Sequence, residues 1–403
     1  MRTNGFALFM GRDPQAAAER AARRVQRYSR ELIVRQADDL GLTAGPARLM
    51  AFYLDGKEGM PVVHGFPEDG VEGDAPATGE FARLGRGGGG LFVERDPLGT
   101  RGLFVDTAVS CIASDHRFFS GVRPRLLKAG IRYSLDGGVL NERAPPAKPR
   151  ADRLEDLDDC VEATARMLKE SVERMVAGKR KVAVSFSGGL DSSLIALVVA
   201  RSGVEVVLCS AFAGNSRDEK HAASAADRLG MECVSIPLDE EKVKQEVGEL
   251  DLPFEASPMD RALWCIYSST SRAASENGAE LLMLGQLADE LFGGYQKYSK
   301  ALREHGEPAA EAMMVRDVFA SGERAFIRDE EAVARFSEAR FPFADEALVE
   351  LALRIPVRFK IRQEGERKSV LRRAALALGL PEELASAPKK AAQYSSGVAK
   401  LVA

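Results

Sequence analysis

The sequence predicts an α/β protein: a doubly wound parallel sheet with a helical C-terminal part, preceded by a smaller α+β domain. Three observations carry this. From Val182 onward, short apolar runs alternate with helical stretches, the pattern of a parallel sheet covered by helices on both faces. Before it, Ala144-Pro145-Pro146-Ala147-Lys148-Pro149 reads as a linker, because its prolines hold the chain extended and remove backbone donors. Upstream of the linker, from Phe52 to about Val139, apolar runs such as Leu91–Val93 and Leu103–Val105 sit between Gly, Pro and Asp, as in a small sheet with tight turns.

Taken in order, Pro14 to Asp39 mixes Ala, Arg, Leu and Glu without glycine or a second proline, which predicts one helix. Its arginine-rich side reads as a solvated face. Gly87–Gly90 precedes an apolar run instead of following one, so it predicts a hairpin turn and not a phosphate cradle. After the linker, Leu154 to Val176 predicts a long helix. Val182–Phe186 predicts a buried strand, Ser192–Ala200 a helix, Glu205–Phe212 a strand, Glu219–Leu229 a helix, and Glu232–Ile236 and Glu280–Leu284 two further strands. Beyond Phe292 the pattern is mostly helical. The expected division is a domain over 1–143, a linker over 144–153 and a second domain over 154–403.

Composition excludes several classes of function. A chain of 403 residues suits two or three domains. Apolar content of 45% and charged content of 29% describe an ordinary globular protein. A formal charge of −4 argues against a general nucleic-acid binder, which needs a basic surplus. No run approaches the roughly 18 apolar residues of a membrane span. Asp13 and Glu19 interrupt the N-terminal region, unlike a secretory leader. The five cysteines are scattered with no CxxC pair, and none of the four histidines pairs at metal-ligand spacing. The expectation is a cytoplasmic enzyme in a reducing compartment, without transition-metal chemistry and without a nucleic-acid or membrane partner.

Ser187–Ser193, reading SGGLDSS, stands between a predicted strand and a predicted helix. In a parallel sheet, ligands bind beyond the carboxyl ends of the strands. Gly188 and Gly189 allow a tight turn and close approach of backbone to an anion. The hydroxyls of Ser187, Ser192 and Ser193, with the N–H groups of the helix start, can donate to phosphate oxygens. Asp191 would repel a phosphate unless it holds Mg²⁺, which favours one or two carboxylates plus phosphate oxygens. There is no GxxxxGK[ST] string, so the loop is not of the Walker type. The SGGxDS string resembles the loop of the PP-loop ATP-pyrophosphatase superfamily, which implies release of pyrophosphate from ATP and transfer of AMP.

A second acidic loop, Gly285-Gln286-Leu287-Ala288-Asp289-Glu290-Leu291-Phe292-Gly293-Gly294-Tyr295, follows another predicted strand. Asp289 should lie at the same sheet edge, a second Mg²⁺ ligand opposite Asp191, while Glu290 fits an acidic helix start. This segment closely resembles the GxxADELFGGY signature of asparagine synthetases. Arg328–Asp329, Glu338 to Asp345, Lys368-Ser369-Val370-Leu371-Arg372 and Pro388 to Gly397 resemble further strings of that family, in its order, from about Val182 to Val398.

The resemblance implies ATP and Mg²⁺ as cofactors, and an aspartate β-carboxylate (or a related carboxylate) that is adenylated and then attacked by ammonia. Lys389 matches the lysine that stabilises the phosphorus centre, with Lys390 in reserve, and Lys368 belongs to the same catalytic set. Ala211, Leu284 and Gly285 complete the nucleotide-binding set implied by the family. Gln286 departs from the pattern: many members carry a glutamate there, and a glutamine cannot take a proton usefully near neutral pH. Leu287 likewise replaces a usual glycine. A different acceptor or amine, as in β-lactam-forming synthetases, and a non-catalytic nucleotide-binding subunit are the alternatives.

Gly79-Glu80-Phe81, Phe92 to Thr100 and Ala113-Ser114-Asp115 resemble a late stretch of the family's class II amidotransferase domain, an Ntn-like fold. That domain uses a cysteine directly after the initiator Met as nucleophile. Position 2 is Arg2, and Cys111 lies far inside. The expectation is a shortened domain without glutaminase activity, fed by free ammonia or a separate glutaminase. A homodimer is compatible with this reading.

Overall fold

In the computed structural model the described residues are 6–10, 14–25, 32–36, 50–54, 62–67, 79–87, 90–119, 121, 123–136, 139–143, 152–214, 217–362, 365–387 and 397–402. The chain forms two compact units. The first comprises Met1–Lys148 with two later segments, Leu252–Glu255 and Ser321–Glu330; the second comprises the rest.

The first unit is built on two antiparallel sheets. Its elements are β1 (Ala7–Phe9), α1 (Pro14–Val25), β2 (Leu32–Gln36), β3 (Met50–Leu54), β4 (Val62–Pro67), β5 (Gly79–Gly87), β6 (Gly90–Arg95), β7 (Phe104–Val105), β8 (Cys111–Ala113), β9 (Arg125–Leu126), β10 (Arg132–Asp136) and β11 (Val139–Arg143). One sheet has the order β2-β3-β1-β8-β7-β9, the other β11-β10-β6-β5-β4. Alternation along β1 shows how they stack. Leu8 faces Leu84, Val93 and Tyr133 of the other sheet, while Ala7 and Phe9 pack with Ala18 and Ala21 of α1. Successive strand residues point to opposite faces, so one short strand seals two layers.

One expectation is corrected here. The helix expected over Pro14 to Asp39 ends at Val25, and Leu32–Gln36 is a strand paired antiparallel with β3. The run Leu32-Ile33-Val34 is apolar, with Ile33 and Val34 β-branched, and pairing with β3 outweighs the weak helix preference of its neighbours. Gly87 and Gly90 pair across the β5–β6 hairpin.

Arg95 and Asp96 staple the interior of this unit. Fully buried Arg95 donates to the carbonyl oxygens of Arg101 (2.7 Å), Leu127 (2.8 Å), Gly99 (2.6 Å) and Gly322 (2.9 Å). The Gly322 bond fastens the 321–330 segment. Asp96 accepts from the Thr100 hydroxyl at 2.8 Å and from the Leu98 N–H at 3.0 Å, closing the turn of the Arg95–Thr100 string.

The second unit holds a five-stranded parallel sheet of β12 (Lys181–Ser185), β13 (Glu205–Ala213), β14 (Cys233–Leu238), β15 (Leu282–Met283) and β16 (Ala339–Arg340). Its order is β14-β13-β12-β15-β16. Helices α2 (Leu157–Val176), α3 (Leu190–Arg201), α4 (Arg217–Leu229), α5 (Glu240–Gly248) and α6 (Pro258–Glu276) alternate with the strands. The rest is α7 (Ala288–Phe292), α8 (Gln296–His305), α9 (Glu307–Ala320), α10 (Ala325–Val333, begun in the first unit), α11 (Glu346–Arg354), α12 (Val357–Lys360), α13 (Ser369–Ala377) and α14 (Glu382–Ala385). Buried runs such as Val182–Val184 are apolar throughout because both sheet faces are covered. Helix α6 starts on a reciprocal capping box between Ser257 and Asp260, which stabilises such a start by about 1 kcal/mol.

The strand order reverses between β12 and β15. The sheet runs outward through β13 and β14 on one side and through β16 on the other. Such a switch point opens a crevice at the carboxyl ends of the two central strands.

Candidate functional site

Both predicted loops leave the sheet at this point. The glycine-serine loop follows β12 and runs into α3, whose N-cap is Gly189. Gly188 has φ +72°, and a Cβ there would lie 3.0 Å from the backbone of His221 and Ala222, so the turn takes only glycine comfortably. Within the loop the Ser187 and Ser192 hydroxyls approach to 3.3 Å, and the Gly189 N–H points to the Ser187 hydroxyl at 3.4 Å. Ser193 is fully buried, and its hydroxyl has no hydrogen-bond partner among the described residues.

The second loop follows β15. Leu284 is buried and donates its N–H to the carbonyl of Arg340 at 3.0 Å. A Cβ on Gly285 would come within 3.2 Å of the Asp191 Cβ, so the second loop lies directly against the first. Leu287 has φ +79°, and its buried side chain rests on a left-handed backbone. That conformation costs a non-glycine residue roughly 1–2 kcal/mol and accounts for a glycine preference at this place. Gln286 is half-buried and makes no hydrogen bond to another described residue.

The two aspartates converge on one cation. Lys368 Nζ lies 2.6 Å from Oδ2 and 2.7 Å from Oδ1 of Asp191, and 2.6 Å from Oδ1 of Asp289. Its side chain is only 2% exposed. Burial opposes the ammonium charge, but the fields and hydrogen bonds of Asp191 and Asp289 outweigh it, so the lysine is held above its ordinary value. Lys368 has φ +60° and caps α13. Its segment is tied down on both sides: Ile361 pairs with Arg367, and Arg367 Nη1 donates to the Gly294 carbonyl at 2.7 Å.

Gly294 makes the cluster possible. A Cβ there would fall on the Asp289 carboxylate and lie 2.5 Å from Lys368 Cε. Behind it, Tyr295 donates to Oε1 of Glu290 at 2.9 Å. Burial, with the charge of Asp289, pushes the Glu290 carboxyl up to about 7. Glu290 is therefore an interior group, and Asp289 alone of this pair faces the glycine-serine loop's aspartate through Lys368.

Two carboxylates that share one ammonium can share one divalent cation, since Mg²⁺ takes a carboxylate or two and completes its shell with phosphate oxygens. The donor set suits that ion. Ala211, near the end of β13, is buried in the sheet. Lys389 and Lys390 lie outside the described residues. Sequence reasoning did not single out Gly294, Arg367 or Arg372, although the first stands in the ADELFGGY string and the last in the lysine-to-arginine string.

A glycine-serine loop, two acidic carboxylates and a buried lysine thus meet at the switch point of the parallel sheet of an α/β protein. The profile of the family described as asparagine synthase matches residues 163–325 and 303–402. The chain belongs to this family. It is 32% identical over 409 aligned positions to a Methanocaldococcus jannaschii protein named "Putative asparagine synthetase (glutamine-hydrolyzing) 1", covering 85% of this chain and 73% of that one. An asparagine synthetase domain-containing protein of Saccharomyces cerevisiae is 25% identical over 77% of this chain and 68% of its own length. The Gallus gallus asparagine synthetase (glutamine-hydrolyzing) is 27% identical over 60% of this chain and 44% of its own. The family makes this an ATP-dependent ligase.

Proposed function

We propose that the chain adenylates a carboxylate, the β-carboxylate of aspartate, and converts it to the amide. The carboxylate oxygen attacks the α-phosphorus of ATP, and the bond to pyrophosphate breaks. Ammonia then attacks the acyl carbon, AMP leaves, and the products are asparagine, AMP and pyrophosphate. The observation that carries this is the meeting of Asp191 and Asp289 at Lys368 beside the SGGLDSS loop. Both reactants are anionic, so the site must neutralise charge as it builds in the transition state. Mg²⁺ held by Asp191 and Asp289 would neutralise phosphate oxygens. The loop N–H groups, with Ser187, Ser192 and Ser193, orient the phosphates; Gly188, Gly189, Leu284 and Gly285 let them approach; Ala211 lines the nucleotide side. Lys368 and Lys389 supply positive charge, and Gln286 orients the nucleophile. The loop belongs on this reading to the PP-loop ATP-pyrophosphatase type.

Residues 1–143 form a shortened, Ntn-like amidotransferase domain, 144–153 the linker, and 154–403 the ligase domain. We read the first as lacking glutaminase activity. All five cysteines are free, four of them buried. Burial pushes Cys209 and Cys265 up to about 12 and Cys233 up to about 11, and raises Cys160. Cys111 sits in the middle of the first unit at 6% exposure. The four raised thiols are thus the opposite of the low-pKa nucleophile that glutamine hydrolysis needs, and Cys111 is buried away from solvent. Free thiols throughout also fit a reducing cytoplasm. Among the described residues, no helix is long and apolar enough to cross a membrane.

The test is pyrophosphate release from Mg-ATP with aspartate, using ammonium or glutamine as nitrogen source. Release dependent on aspartate, with amide formed from ammonium and not from glutamine, is expected. Absence of turnover with aspartate, but turnover of another carboxylate whose own amine closes the ring, would establish the alternative, a cyclising ligase of the β-lactam-forming kind, which Gln286 fits as well.

A further inference from the structure

Lys368 occupies the point at which a shared cation would sit, and this decides what the acidic pair can accept. The lysine is not a surface side chain that happens to reach over. Its backbone is left-handed at φ +60°, its stem runs against Gly294, and its neighbour Arg367 is bonded to the Gly294 carbonyl. Arg372 Nε in turn donates to the Arg367 carbonyl at 2.8 Å. The ammonium is thus delivered to the two carboxylates by a braced segment.

Two carboxylates and one ammonium leave a net single negative charge. A divalent ion bonded to the same oxygens at about 2.1 Å would stand close to Nζ, with like charges poorly screened. Moving the lysine outward is costly, because its side chain is 2% exposed and walled by Gly294. A polyphosphate changes the balance. It brings several negative charges, gives the ammonium new acceptors, and completes the metal's coordination.

We infer that Lys368 makes the Asp191–Asp289 pair selective for metal bound to a polyphosphate and excludes free divalent metal. Nucleotide and metal then enter together, and in the unliganded site the lysine offsets one of the two carboxylate charges. This rests on the reading of the acidic pair as a metal site given above.

The experiment is a Mn²⁺ titration of the full chain, followed by electron paramagnetic resonance, without nucleotide and then with inorganic pyrophosphate. The wild type should bind free Mn²⁺ at least about tenfold more weakly than Lys368→Gln. Pyrophosphate should tighten Mn²⁺ binding to the wild type by at least about tenfold, and by less in the variant. Asp191→Asn in the Lys368→Gln background should abolish the gained site. Equal affinity of wild type and variant for free Mn²⁺ would overturn the inference, as would a gained site that survives Asp191→Asn. Lys368→Met serves if the glutamine variant loses its cooperative thermal transition. Aspartate-dependent pyrophosphate release by the wild type, measured in parallel, separates the two readings. Its presence alongside equal Mn²⁺ affinities would remove only the selectivity. Its absence would remove the proposed reaction whatever the metal result.

Discussion

Arg372 reaches back along α13 to hold the carbonyl oxygen of Arg367, 2.8 Å from its Nε, directly before the lysine that joins the two aspartates. Its Nη1 also donates to the carbonyls of Ala385 and, at 3.0 Å, Ala387. A planar guanidinium can serve three carbonyls from one position; an ammonium on a flexible stem cannot. Arg372→Lys should therefore behave like Arg372→Ala. Both are expected to lower kcat for pyrophosphate release by about tenfold or more and stability by about 1–3 kcal/mol. Steady-state kinetics and urea denaturation check this, and full rescue by lysine would refute it.

Gly294→Ala tests the space rather than the backbone angle. The added methyl would fall on the Asp289 carboxylate and close on Lys368. Pyrophosphate release should drop by about 100-fold or more, since small misplacements of reacting groups carry costs of that order. Gly278→Ala is the control: it has φ +74° and nothing within 4 Å of a new Cβ. It should cost only about 1 kcal/mol of stability and leave turnover unchanged.

Lys360, which packs beside Gly293, gives a pH prediction. Burial, partly offset by Glu311, pushes its ammonium down to about 7. The unfolded chain keeps that proton up to about pH 10.5. Below pH 7 both states are protonated, and the folded state carries the full penalty of a buried charge. Between pH 7 and 10.5 only the unfolded state holds the proton, so the penalty fades as pH rises. Lys360→Met should stabilise the protein at pH 6 by roughly 3–5 kcal/mol, with the gain shrinking by pH 9.5. Urea denaturation of both proteins at the two pH values measures it; a gain that grows with pH would contradict it.

Arg95→Met should leave the carbonyls of Gly99, Arg101, Leu127 and Gly322 without this donor inside the first unit. A loss of about 3–5 kcal/mol is expected, with release of the 321–330 segment. Hydrogen exchange of residues 321–330 should rise well above wild type; unchanged protection there would count against the assignment.

The alternation from Val182 onward was readable as a parallel sheet because buried strands are apolar on both faces and each helix has its own period. The glycine-serine loop and Asp289 were readable because their chemistry is local: turn, hydroxyl, carboxylate. Lys368 appeared only as a member of a string. Its bridging of Asp191 and Asp289 depends on a left-handed residue and on a methyl-sized gap at Gly294, neither of which leaves a periodic signal. Leu32–Gln36 was misread for a related reason. Its conformation is set by pairing with β3, and the partner is not encoded in the segment itself.

The placing of β12 beside β15 has a consequence for how the protein is made. Everything from α3 through α6 must be synthesised before the second central strand emerges from the ribosome. A nascent chain that ends before Leu282 owns the whole glycine-serine loop but neither its acidic counterpart nor the braced lysine. On the proposed reading, the nucleotide site is complete only late in translation, after both Asp289 and then Lys368 have been synthesised. A prematurely released chain would be an inert competitor for chaperones and not a half-active enzyme that consumes ATP.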